Sequence, residues 1–386
     1  MKELPKITPG FYWLLIANLL FFGEAVPMGL PHTASAAEQP EAKSALSCDQ
    51  IRAKIQQVTR QIRKAKAAEK TSLVRRLRKQ LRKLKQELAS CATLPSIEMI
   101  TVGNPGNAAD PGNTVSPNVY GAVAEAFRIG KYEVNLDEYA AFLNAVAASD
   151  PYELYFDDAM ATDLQIAGIQ RNGAPGGYSY TVIGSGKRPV TYVDWFDAAR
   201  FCNWLHNGRP RGPQSATTTE SGAYALNGAT TGLSITREST ARYWVPSEDE
   251  WYKAAYHHPN SLGGPADDYY LYPTMSDTAP GNQVGATPNQ ANAYTTVYSV
   301  TQTGGPASLA QNYLTDAGAF SASASYYGTF DQGGNAWELT EGINGITRAL
   351  RGGSWDNLPA QTLSSFRSGS GERSDTIGFR VAGRVP

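Results

Sequence analysis

The sequence predicts a loop-rich domain of mixed helices and short strands, preceded by a separate basic helical segment. Three observations predict it. Residues 48–91 contain no Gly and no Pro and carry apolar side chains at helical spacing. Farther on, short apolar runs of strand length alternate with amphipathic stretches that open on helix-capping residues. Between these lie long segments rich in Gly, Asn, Ser and Tyr, the mark of a fold held by loops and aromatic side chains. With 386 residues, 41% hydrophobic and 18% charged, the chain can bury the core of two domains or of one large domain with appendages.

The N-terminus reads as an export signal. Lys2 and Lys6 form a short basic region, and residues 11–22 are an apolar run too short to span a bilayer comfortably. Ala34, Ser35 and Ala36 then supply an A-x-A cleavage site. Residues 1–36 are therefore expected to be a signal peptide and 37–47 a linker, with the mature chain secreted or periplasmic. The competing reading of the run is an uncleaved anchor or a buried helix. No other apolar run is long enough to be transmembrane. The three cysteines, Cys48, Cys91 and Cys202, form no CxxC or Cys/His cluster, which argues against a zinc site.

Residues 48–91 hold 14 basic and 3 acidic residues, a charge of +11, against 20 basic and 32 acidic residues elsewhere. Ile51, Ile55, Val58 and Ile62 make one helical stripe, and Leu77, Leu81, Leu84 and Leu88 make another in a different register. A turn near residues 69–72, with Thr71 or Ser72 capping the second helix, resets the phase. The two helices then run antiparallel and bring Cys48 beside Cys91, which predicts a disulfide closing the hairpin. One long helix in an intermolecular coiled coil is the alternative. The basic surface suits a phosphate-rich polymer, anionic lipid, or an acidic protein surface that includes this chain's own acidic part; the bland reading is a solvated face without a ligand. Nucleic acid is not expected as the partner of an exported chain. Residues 92–96 are a linker ended by Pro95.

In the remainder, 97–386, strands are expected at 97–102, 127–134, 242–245, 349–352 and 378–381. Asn135 with Glu138 three residues on makes a capping box before the stripe Leu136, Tyr139, Ala140, Leu143 and Val146. A second helix is expected over 195–206, with Cys202 as a buried thiol and His206 capping the end. A third begins at Ser247 with Glu250 completing another box, and turns Trp251, Ala254 and Ala255 inward. Segments 150–190, 207–240 and 258–330 read as long decorated loops.

Six blocks in order carry a family resemblance: GKYEV (130–134) with the helix ending FLNAV, RPVTYVDWFDAARFCNWL (188–205), WVPSEDEWYKAAY (244–256), GTFDQGGNAWELTEG (328–342), RALRGGSW (348–355) and IGFRVAG (377–383). Together they resemble the sulfatase-modifying-factor, or formylglycine-generating enzyme, family, and in particular its exported bacterial members. The resemblance implies an α+β, C-type-lectin-like fold. The family's oxidases bind copper through two cysteines shortly after the RGGS motif, a soft ligand set suited to Cu(I). The matching positions here are Asn357 and Thr362, so no copper is expected and formylglycine generation is not. An iron centre is also not expected, because adjacent His257 and His258 do not easily point at one ion and His206 stands apart.

The resemblance further implies structural calcium, a hard cation suited to oxygen ligands. One site falls on Gly334, Asn335, Ala336 and Glu338, and a second on Asn292 and the carbonyl of Ala293. Alternatively, Glu338 is a buried carboxylate paired with an arginine such as Arg351. Arg351, Ser354, Trp355, Arg367 and Arg380 fall in or near the blocks that line the family's cleft. There they grip a peptide, a protein or an anionic small molecule; for Arg351 and Arg380 the alternative is a structural role, tying strands to carboxylates. The expected role is binding or assembly. The alternatives are a metal-dependent oxidoreductase acting on a peptide or small molecule, and a maturation factor for an exported enzyme.

Overall fold

A computed structural model describes residues 48–92, 95–112, 119–156 and 159–386, with side chains described only from 51 to 85 within the first of these. The expected signal peptide and the linker 37–47 lie outside the described residues, as do the side chains of Cys48 and Cys91. No described helix is long and apolar enough to cross a membrane.

The basic segment is a helical hairpin of α1 (Cys48–Ala67) and α2 (Thr71–Ala92). Ile51, Val58, Ile62 and Ala65 of α1 are buried in one cluster with Val74, Leu77 and Leu84 of α2. The change of register between the two stripes is thus a chain reversal, and the single long helix is set aside. The reversal occurs one residue earlier than expected. Glu69 takes a left-handed φ of 53°, and Lys70 N–H bonds Ala65 O at 3.0 Å. Thr71 and Ser72 are consequently the first residues of α2 instead of its cap, and Thr71 Oγ1 reaches only Glu69 O, at 3.5 Å.

The rest of the chain contains, in order, β1 (Met99–Val102), β2 (Phe127–Gly130), α3 (Leu136–Val146), α4 (Ala159–Thr162), β3 (Ile169–Asn172), β4 (Ser179–Val182), α5 (Trp195–His206), β5 (Tyr243–Trp244), α6 (Glu248–Tyr256), β6 (Trp337–Asn344), β7 (Thr347–Arg351), β8 (Ser368–Ser370), β9 (Ile377–Gly378) and β10 (Ala382–Gly383). One sheet has the order β1-β2-β10-β5, another the order β8-β7-β6-β9, and β3 and β4 form a separate hairpin. All pairings are antiparallel except β6 with β9.

The expected strand at 378–381 is divided. β9 ends one sheet and β10 enters the other, and the stretch between them buries Phe379 and Val381 at 0% exposure with Arg380 also buried. That crossing joins the two sheets through one core. The strand expected over 127–134 stops at Gly130, where Lys131 and Tyr132 turn the chain toward α3.

The capping boxes at Asn135 and Ser247 form as expected, and Asp194 with Asp197 makes a third at the start of α5. Every expected inward residue of α3 is buried, and α5 buries all but its last residue. Phe142 meets Phe201 edge-on at 5.3 Å, and Phe201 meets Phe379 at 5.4 Å, so both helices and the sheet crossing share an aromatic centre. Cys202 is a buried free thiol within this core. His206 does not cap α5; its Nδ1 accepts from the Arg242 amide at 3.2 Å.

Candidate functional site

The RGGSW block leaves the end of β7 through two left-handed glycines, with φ of 98° at Gly352 and 74° at Gly353. A side chain at Gly352 would stand 2.7 Å from Gln332 O and against Trp251, so only glycine lets these backbones meet. The following turn is locked from within. Asn357 Oδ1 accepts from the Ser354 amide at 3.1 Å and from Ser354 Oγ at 2.9 Å, and Asn357 N–H returns a bond to Ser354 O. Thr362 is fully buried; its hydroxyl donates to Pro359 O at 2.8 Å and its carbonyl accepts from Tyr256 O–H at 3.0 Å. The two positions corresponding to the family's copper thiolates thus hold a turn and a 3-10 helix (Pro359–Thr362) together.

The expected ligand cleft is not an open surface. Arg351, Ser354 and Arg380 are 0% exposed and Trp355 is 2% exposed. Arg351 donates to Glu248 and to the carbonyls of Ser364 and Phe366, each at 2.8 Å. Arg367 clamps the same Glu248 through two bonds of 2.7 and 2.8 Å. Trp355 stacks on Tyr313 with centroids 4.9 Å apart, and its indole N–H is buried without a partner. Arg351 and Arg367 therefore tie α6 to β7 and the segment that follows it, for Arg351 the structural role read as its alternative from the sequence. Open clefts lie elsewhere. One of about 480 Å³ is lined by Phe127, Arg237, Trp244, Glu250 and Arg384 among others, and one of about 280 Å³ by Glu98, Glu133, Glu138 and Lys187 among others.

The expected calcium residues converge into one joint. Asn292 pairs with Gly334 as a parallel bridge, and Asn335 N–H donates to Asn292 O at 2.8 Å. Gly334 has φ of 78°, and a Cβ there would collide with Asn292 O at 2.2 Å. Most of the expected ligand oxygens already serve protein donors. Asn335 Oδ1 accepts from Asn292 Nδ2 at 3.0 Å and from the Thr315 amide at 3.1 Å. Ala293 O accepts from Asn282 Nδ2 at 3.1 Å. Glu338 is paired with Arg380, not with Arg351, and also accepts from Trp251 Nε1 at 2.7 Å. Asn335, Glu338 and Ala293 therefore do not make a ready cage of six to eight free oxygens. Among the described residues no three His, Cys, Asp or Glu side chains are gathered as a metal-ligand group.

The unmet acceptors near this joint belong to residues the sequence reading passed over. Glu133, at 2% exposure, has both carboxylate oxygens buried without a hydrogen bond. Burial pushes its carboxyl well above the usual range, and the charges of Asp331 and Glu338 push it the same way against the opposing pull of Arg380. Burial also raises Asp331 to about 6, although the Gly318 amide bonds it at 2.7 Å. Arg380 is thus bonded to Glu338 and acts on Glu133 and Asp331 only through space. The available signal was an acidic residue, Glu133, next to Val134 in the GKYEV block.

Residues 89–385 match the sulfatase-modifying factor enzyme 1-like domain. No curated protein matches the chain. Among solved structures, CarF is 18% identical, with 76% of this chain and 100% of that one covered and a TM-score of 0.41. Treponema denticola variable protein 1 is 19% identical, covering 76% and 98%, with a TM-score of 0.39. PvdO from Pseudomonas aeruginosa is 18% identical, covering 75% and 92%, with a TM-score of 0.36. A family match over more than half of its length means that this chain belongs to the sulfatase-modifying factor enzyme 1-like family.

Proposed function

We propose that this protein is an exported member of the family that acts in binding or assembly, with a peptide, protein or anionic small molecule as partner, and does not generate formylglycine. The observation that carries the reading is the fate of the two copper positions. Asn357 is consumed by Ser354, and Thr362 is buried under Tyr256, so neither supplies a soft ligand. Cys202 offers no substitute, because it is sealed in the core with its thiol pushed up by burial.

Structural calcium belongs to the same proposal. It is supported by the resemblance of residues 334–338 to the family's calcium block and by Glu133, whose buried carboxylate oxygens have no hydrogen-bond partner. A cation beside Glu133 would offset charge that Arg380, already paired with Glu338, offsets only in part.

The test is elemental analysis of chain exported without chelator, combined with mass spectrometry of a cysteine-containing sulfatase peptide incubated with the protein, Cu(I) and oxygen. Calcium at one or two per chain with an unchanged peptide is the expected result. Stoichiometric copper or iron, or conversion of the peptide cysteine to an aldehyde, overturns the reading.

A further inference from the structure

We propose that the face of α2 bearing Arg75, Arg78, Arg82 and Lys85 is a binding track for a linear anionic glycan, a sulfated or carboxylated polysaccharide. The four residues are spaced by three, four and three positions, which places them on one side of the helix along roughly 15 Å of its length. All four are exposed, and the one carboxylate between residues 52 and 85 is Glu69 at the turn, away from the track. The track neighbours a concave surface of about 580 Å³, lined by these four side chains with Thr71, Val74 and Leu81. Three guanidinium groups and an ammonium in a row along one helix face suit a linear chain that offers anionic groups at regular intervals.

Two other polyanions fit less well. The apolar stripe of the hairpin is consumed between its own helices, and residues 48–91 contain no Trp, Tyr or Phe. Nothing is therefore left to insert into a lipid interface or to stack on unpaired bases. The hairpin also precedes nearly all of the segment that matches the family domain, residues 89–385, so its charge is not needed for that domain's core.

The test is fluorescence anisotropy of the whole chain with a labelled heparin oligosaccharide, against duplex DNA and vesicles containing anionic lipid at equal charge concentration. The glycan is expected to bind tightest. With about four charge contacts, its affinity should fall roughly fifty-fold between 50 and 200 mM salt. The variant Arg75→Gln, Arg78→Gln, Arg82→Gln, Lys85→Gln should bind at least about ten-fold more weakly and lose most of the salt dependence. Circular dichroism should show its helicity unchanged, since all four side chains are exposed. A matched variant, Arg52→Gln, Lys54→Gln, Arg60→Gln, Arg63→Gln, removes the same charge from α1 and should bind within about three-fold of the parent. Equal losses in the two variants, absence of glycan binding, or tighter binding to DNA or vesicles overturns the proposal.

Discussion

Arg380 and Glu338 form a doubly hydrogen-bonded pair in which neither side chain is exposed: Nε meets Oε2 and Nη2 meets Oε1, both at 2.5 Å. The remaining donors of Arg380 bind Gly130 O at 2.9 Å and Phe330 O at 3.0 Å, so one side chain links β2, β6 and the crossing between the sheets. Removing one partner leaves an unpaired buried charge. Glu338→Ala should cost about 3–5 kcal/mol of stability, read from urea unfolding. The double variant with Arg380→Met should lose less than the sum of the two single variants, and strict additivity would show that the pair carries no coupling.

Glu133 stands in the opposite situation, a buried carboxylate without a donor. In calcium-free protein, Glu133→Gln should raise stability at neutral pH by roughly 1–3 kcal/mol, because a neutral amide avoids both the burial of a charge and the repulsion from Asp331 and Glu338. The folded pKa of Glu133 is raised, so its penalty is absent below the ordinary carboxylate range and grows as pH rises above it. The gain from the substitution should therefore increase with pH. A loss of stability in the chelated protein would show that the carboxylate has a donor it needs.

Much of the architecture was legible because local chemistry and tertiary demand agree. Asn135 and Ser247 announce helices by boxes that form, and the apolar stripes of α3 and of the hairpin face the cores that bury them. The box at Asp194 escaped the template because its third residue is Asp197 instead of Glu or Gln. β6 was missed as a strand because it reads WELTEGIN, with Glu338 and Thr340 buried at 0% exposure where alternation would place apolar residues. Such polar positions gain sense only from partners on other strands or crossings, Arg380 for Glu338 and the Ala349 carbonyl of neighbouring β7 for Thr340. The site was legible as a set of blocks but not as a surface. Arg351 and Arg367 look equally able to bind a ligand until Glu248, more than a hundred residues earlier, is seen to hold both.

Titration of two helix-capping and core residues should shape stability in opposite senses. Burial raises Glu138 to about 7, and its Oε2 accepts from the Asn135 amide at 3.0 Å. Relative to an unfolded carboxyl, the folded state holds its proton longer, so stability from this group falls as pH rises from about 4.5 toward 7. Burial, then the charge of Lys253, lowers His257 to about 4, so its contribution is present above about 6.5 and is lost as pH falls toward 4. Glu138→Gln keeps a side chain that can complete the capping box while removing the titration. Thermal unfolding across pH 4.5–7 should show a shallower decline for this variant than for the parent, and parallel profiles would mean that Glu138 ionises normally.

The two ends of the hairpin carry the last prediction. α1 begins at Cys48 and α2 ends one residue beyond Cys91, with the reversal at 68–70 nearly equidistant from both. We predict that a disulfide between Cys48 and Cys91 closes the hairpin; restricting that loop in the unfolded chain would contribute about 4 kcal/mol by the chain-entropy model. Cys202 has no role in it, since it lies inside the aromatic core at 0% exposure. Non-reducing peptide mapping of exported protein should therefore recover Cys48 linked to Cys91. Alkylation of the native, reduced protein should modify those two thiols and spare Cys202 until the domain unfolds. Reductant should lower the melting temperature of the hairpin's helical signal and leave near-UV signals from the Tyr139, Phe201 and Phe379 centre in place, because no disulfide constrains that core. Recovery of both thiols free from an oxidising compartment would leave the hairpin held by its apolar stripe alone.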